Sequence, residues 1–81
     1  MIISQQIRMA RAALRWSAQR LADESGVALK TIQRLEGQDG VPTSHASTMA
    51  EIERVLSAAG IEFIGSPTDA PGVRLRCPPA G

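Results

Sequence analysis

The sequence predicts a mainly α fold: four helices forming one compact domain, followed by a short C-terminal β-hairpin or pair of strands. Three observations predict it. Apolar residues recur at helical spacing from Ile7 to Ala59, the signature of one buried stripe per helix. Gly and Gly/Pro/Ser/Thr clusters interrupt that period at Gly26, Gly37 and 37–47. After Gly60 the apolar period shortens from about 3.6 residues to about 2, as in half-buried strands.

The first helix is predicted over 4–15, with Ser4 as its cap and Ile7, Ala10 (or Arg11) and Leu14 along one face. Trp16, the single Trp, follows as a plug between this helix and the next. Ser17 caps a second helix that carries Leu21, Ala22 and Ser25 on its inner face and closes at Gly26. A third helix from about Ala28 to Glu36 places Ile32 and Leu35 inward and ends at Gly37. Two short helices joined by a Gly-containing turn are the helix-turn-helix unit.

The stretch GQDGVPTSHAS (37–47) reads as a loop anchored by Val41, because Pro42 forbids continuous helix there. Ser47 is placed to cap a fourth helix with Met49, Ile52, Val55, Leu56 and Ala59 inward, Glu51, Glu53, Arg54 and Ser57 outward, and Gly60 as its stop. Ile61–Ile64 and Val73–Arg76 then alternate apolar with polar, separated by turn residues GSPTDAPG. Residues 1–60 are read as the helical domain, 61–76 as a strand extension and 77–81 as a disordered tail.

An 81-residue chain holds one small domain. A chain of that size buries only about 60–65% of its unfolded surface, so dimerisation would help it. Cys77 has no partner for an internal disulfide, which suits a reducing cytoplasm. No apolar run approaches the roughly 20 residues of a membrane span. The first residues lack a basic segment followed by an apolar core, so no signal peptide is expected.

Catalytic chemistry is not in view. His45 and Cys77 stand far apart, no Cys/His cluster has metal-ligand spacing, and no Gly-rich phosphate loop follows a strand. The eight carboxylates form no close pair on an apolar face. Neither an enzyme, a metal site nor a cofactor is expected.

Charge is more informative in its distribution than in its sum of +1. Residues 1–36 carry Arg8, Arg11, Arg15, Arg20, Lys30 and Arg34 against Asp23, Glu24 and Glu36, a net of +3. Residues 37–64 carry Arg54 against Asp39, Glu51, Glu53 and Glu62, a net of −3. A basic half in front of an acidic one is the asymmetry of a face turned to phosphate.

Trp16-Ser17, Leu21-Ala22, Gly26-Val27, Thr31-Ile32, Arg34-Leu35-Glu36 and Gly40, in that spacing, resemble the Cro/phage-repressor (XRE-type) family of helix-turn-helix transcription regulators over residues 7–60. The resemblance implies that the third helix enters the major groove of DNA, with Ala28, Leu29, Lys30, Gln33 and Arg34 facing bases. Lys30 and Arg34 have the donors for guanine, Gln33 suits adenine or phosphate, and Ala28 and Leu29 offer apolar contact only. Ser17, Gln19, Arg20, Thr31 and Arg8 are the implied phosphate contacts. Ala18 stands where relatives often carry a phosphate-binding Gln, and Ala28 and Leu29 where they often carry polar residues. Arg11 and Glu36 match family positions that pair beneath the fold.

A small dimeric DNA-binding regulator is therefore expected, a repressor of its own or a mobile element's promoter, in a bacterial or phage cytoplasm. Its expected partner is double-stranded DNA with an inverted repeat, and its dimer surface Phe63, Ile64, Val73 and Leu75 on the strands. The rival arrangement folds the hairpin back on its own helices and leaves the fourth helix to dimerise. The alternative function is an antitoxin that engages a toxin through the C-terminal segment. No small-molecule effector is expected.

Overall fold

A computed structural model of the chain describes residues 2–38 and 46–76. Four helices, α1 (Ser4–Leu14), α2 (Ala18–Ser25), α3 (Leu29–Glu36) and α4 (Ala46–Ala58), precede two strands, β1 (Ile61–Ser66) and β2 (Asp69–Leu75). The mainly helical reading with a C-terminal strand pair is therefore correct. The loop expected around Val41, the reading of His45 and the tail at 77–81 lie outside the described residues.

One core joins the helices to the strand pair. Ile7, Leu21, Ile32, Leu35, Ile52 and Leu56 are fully buried, with Ala10, Leu14, Ala22, Val55 and Ile61 around them. Each buried Val, Leu or Ile side chain is worth about 1.5–3 kcal/mol, so the helical spacing that predicts them also accounts for most of the packing. Ile2 and Ile3 are buried as well, an extension of the core that helical periodicity does not reach because both precede α1.

The entry to α1 differs from expectation. Ile3, not Ser4, occupies the cap position, in extended conformation. Its backbone N–H donates to Gln6 Oε1 at 2.9 Å, the half of a capping box that needs only the residue three positions on. Ser4 lies inside the helix, buried, and its Oγ has no hydrogen-bond partner among the described residues.

The exit from α1 is a Schellman turn. Arg15 adopts the left-handed conformation (φ 59°), its N–H donates to Ala12 O at 3.1 Å, and Trp16 N–H donates to Arg11 O at 2.9 Å. Ser17 then caps α2 as the sequence predicts, its Oγ accepting from Arg20 N–H at 3.0 Å. Gly26 closes α2 with φ 73°, a conformation that a side chain would strain. Gly37 ends α3 in right-handed conformation, donating to Gln33 O at 3.0 Å. Helix α4 begins at Ala46, so Ser47 falls within its first turn rather than before it.

The hairpin is longer and tighter than the alternation indicates. The ladder runs from Ile61↔Leu75 through Phe63↔Val73 to Ser66↔Asp69, with an irregularity between Ile64 and Ser66. Only Pro67 and Thr68 lie between the strands, where an eight-residue loop is predicted from GSPTDAPG. Those turn-forming residues instead continue the ladder through two left-handed residues, Gly65 (φ 76°) and Ala70 (φ 50°). At Gly65 a Cβ would come within 2.2 Å of Ala70 O, so no side chain fits.

The hairpin lies against α1 and α4. Ile61 is in the core, and Phe63 and Val73 pack against it. Gln6 fastens the other side: its Nε2 donates to Ile64 O at 3.1 Å and to Gly72 O at 2.9 Å. The folded-back arrangement is the one observed, and the strands complete the helical core rather than extend from it.

Candidate nucleic-acid interface

The geometry of α2 and α3 starts from which residues the core claims. On α3, Ile32 and Leu35 are buried, which turns Lys30, Gln33 and Arg34 outward together at i, i+3 and i+4. All three are exposed. Ala28, also exposed, precedes the helix in extended conformation and supplies no side-chain cap. Leu29, an implied base contact, is half-buried and packs against the core, because its position falls between the exposed row and the buried stripe. Thr31 flanks the row on the other side and is half-buried.

The implied phosphate contacts divide. Ser17 is exposed, and its hydroxyl caps α2 as an acceptor while its own proton remains available to donate. Gln19 is exposed and donates to Asp23 Oδ1 one turn on, at 2.9 Å. Arg20 is exposed, its guanidinium 4.8 Å from the centre of the Trp16 ring and 3.5 Å from Glu24. Arg8 does something else. Its Nη1 donates to the carbonyls of Glu36 and Gln38, the latter at 2.9 Å. A cation at the end of α3 meets the carbonyls that a helix leaves unpaired there, so Arg8 braces the end of α3.

Beneath this surface lies the expected ion pair. Arg11 Nε donates to Glu36 Oε2 at 2.9 Å, and Arg11 Nη2 to Oε1 at 2.7 Å, a two-pronged contact. The side chains are 27% and 10% exposed, so the pair is largely shielded from water. The hydrogen bond to Glu36 holds the Arg11 pKa above its ordinary value, outweighing the desolvation that opposes it. Arg11 Nη1 also donates to Trp16 O at 3.0 Å. Trp16 is thus tied to Arg11 through both its N–H and its carbonyl, and its ring packs against the core.

Charge along α2 is arranged against its own dipole, whereas α3 combines Lys30 in its first turn with Arg34 in its last, where a cation is favoured. Neither α2 nor α3 has an acidic residue in its first turn. Arg20 and Lys30 sit there instead, while Asp23 and Glu24 fall in the last turn of α2. The positive end of a helix dipole favours acids and disfavours cations by a few tenths to about 1 kcal/mol each. A helix adjusted only for stability would carry the reverse pattern.

Of the expected dimer residues, Phe63 and Val73 are half-buried and pack against the chain's own core. Half-buried Ile64 and Leu75, 38% exposed, keep apolar area toward solvent. Glu62 and Arg74 pair across the strands at 3.4 Å. Among the described residues no group of three His, Cys, Asp or Glu side chains is placed to hold a metal, and no helix is long and apolar enough to cross a membrane.

Two structural residues are not foreseen from the sequence: Gln6, and Arg8 as a brace. Gln6 carries a weak signal, a polar residue beside Ile7 on a helix face that is otherwise apolar; Arg8 carries none. No protein-family model matches the chain, and no curated protein matches it.

Proposed function

We propose that the chain binds double-stranded DNA in a sequence-dependent way, as a small transcription regulator of the helix-turn-helix kind, similar to the Cro/phage-repressor family. The observation that carries this reading is the exposed row Lys30, Gln33 and Arg34 on a short helix whose first turn holds a cation and no acid. A helix of eight residues held by Ile32 and Leu35 presents that row as a rigid ridge. The major groove admits such a ridge, and Arg, Lys and Gln are the side chains that read guanine and adenine edges there. Arg20 and Ser17 at the start of α2 supply contacts to the phosphate backbone alongside it.

One ridge covers few base pairs, so function as a homodimer on an inverted repeat follows, with half-sites about 10 bp apart or a multiple of that. Repression by occupying its own or a mobile element's promoter is the simplest consequence of such binding. The antitoxin alternative needs the C-terminal segment for a partner, and Ile61, Phe63 and Val73 are engaged with the chain's own helices.

Selection of bound fragments from random duplex DNA, followed by footprinting, tests the reading. Enrichment of one symmetric motif supports it. Retention of every sequence alike, or of none, overturns it.

A further inference from the structure

The chain of contacts Glu36–Arg11–Trp16–Arg20 connects the end of α3 to the first turn of α2. Its first link is shielded and two-pronged; its last is a planar cation resting on an aromatic face. Arg20 stands at the third residue of α2, the position where a capping box would place Glu or Gln. It is opposed there by the helix dipole. Its carboxylate partner, Glu24, follows it by four residues, the weaker of the two orders for such a pair. The contact is long at 3.5 Å, and the side chains are 53% and 47% exposed. A pair of that kind is weak and screened by salt.

Trp16 is the firmer partner. Its backbone is held on both sides by Arg11, and its side chain leans on the core. Leu21 stands five residues on, the spacing of a hydrophobic staple. A guanidinium stacked on a ring keeps the N–H groups along its edge directed outward, which is the geometry that forks a phosphate.

We propose that Trp16 is a positioning residue for Arg20, and that on DNA the Arg20 guanidinium stays on the ring while it exchanges Glu24 for a backbone phosphate. The inference rests on the DNA-binding reading and adds to it a built-in counter-ion, Glu24, that lowers affinity for DNA of any sequence. Arg20 touches the phosphate; Trp16 acts only through Arg20.

The test uses the full chain and a labelled duplex of random sequence, with anisotropy read across a salt series. Arg20→Ala lowers the slope of log K against log salt by about 0.9, one phosphate contact. Trp16→Leu keeps an apolar plug but removes the ring face, and weakens binding about two- to five-fold; Trp16→Phe restores most of the loss. Glu24→Gln, a surface change, tightens binding about two-fold, as expected for loss of a weak exposed pair. In an Arg20→Ala background both Trp16→Leu and Glu24→Gln lose their effects. If Trp16→Leu weakens binding equally with and without Arg20, the positioning role is wrong while DNA binding stands; if Glu24→Gln leaves binding unchanged, the exchange of Glu24 for phosphate is wrong. Should Trp16→Leu fail to fold, Trp16→Met, an unbranched apolar plug without a ring, takes its place in the same comparison. A wild-type chain that binds no duplex even at low salt removes the functional reading itself.

Discussion

Arg11 and Glu36 form a two-pronged, partly buried ion pair that binds α1 to the last residue of α3. The two residues are far apart in sequence, and neither belongs to the exposed row proposed to meet DNA. Removing one partner of a fully buried pair costs about 3–5 kcal/mol; Arg11 keeps 27% of its side-chain exposure, so the low end of that range applies here. Glu36→Ala is therefore expected to lower Tm by more than about 10 °C, since each kcal/mol moves a domain of this size by about 4–8 °C. An unchanged melting curve in calorimetry contradicts this.

Ser4 points the other way. Its hydroxyl is buried without a partner among the described residues, and an unsatisfied buried polar group costs about 1–3 kcal/mol. Ser4→Ala removes the hydroxyl at a helical position where Ala is the better former. Thermal melts are expected to show a gain of several degrees; a loss means that the hydroxyl has found a partner.

Gln6 is the counterpart, a buried polar side chain whose amide oxygen and nitrogen are both paired. Gln6→Ala abandons the Ile3 N–H and two strand carbonyls. The expected result is a loss of about 2–4 kcal/mol, taking each stranded group at the low end of its desolvation penalty. Hydrogen exchange should rise first in β1 and β2. Uniform acceleration over all elements is the contrary outcome.

Arg34→Ala separates reading from anchoring. On the proposed function it costs about 1–3 kcal/mol on the selected site and relaxes preference at one base position. Equal weakening on all sequences reassigns Arg34 to the backbone and leaves Lys30 as the main reader.

Glu51 offers a pH test on α4. The hydrogen bond from Arg54, aided by its charge, holds the Glu51 carboxyl below the ordinary glutamate range. A lowered folded-state value means that the contribution is present above the unfolded-state pKa and is lost as pH falls through the folded one. Both side chains are exposed, so the effect on stability is small and fades with salt. Carbon-detected NMR titration should find Glu51 titrating low, and Arg54→Gln should return it to the ordinary range.

Local spacing makes the helices and most of the core legible. Ile7, Leu21, Ile32, Leu35, Ile52 and Leu56 announce themselves by period alone, and all six are fully buried. The Arg11–Glu36 pair is readable only through resemblance, because nothing in spacing links two charges across 25 positions. Leu29 faces bases by resemblance, yet its place at the edge of the buried stripe draws it against the core. The hairpin exceeds its predicted length because Gly65 and Ala70, both left-handed, let turn-like residues continue the ladder. The partners of Arg8 and Gln6 are hidden for a common reason: they are largely backbone groups, which leave no mark in a sequence.

The Gln6 contacts span 58 and 66 residues, from the first turn of α1 to the two strands. During synthesis α1 leaves the ribosome long before β2 exists. Until both strands are released and paired, Gln6 has neither carbonyl, and the side of the core that Ile61, Phe63 and Val73 cover stays open. Pairing of β2 with β1 therefore closes that side of the core and gives the Gln6 amide its second acceptor in one event. Any truncation that removes β2 thus costs α1 a partner as well as the hairpin its ladder, although the two stand at opposite ends of the described residues.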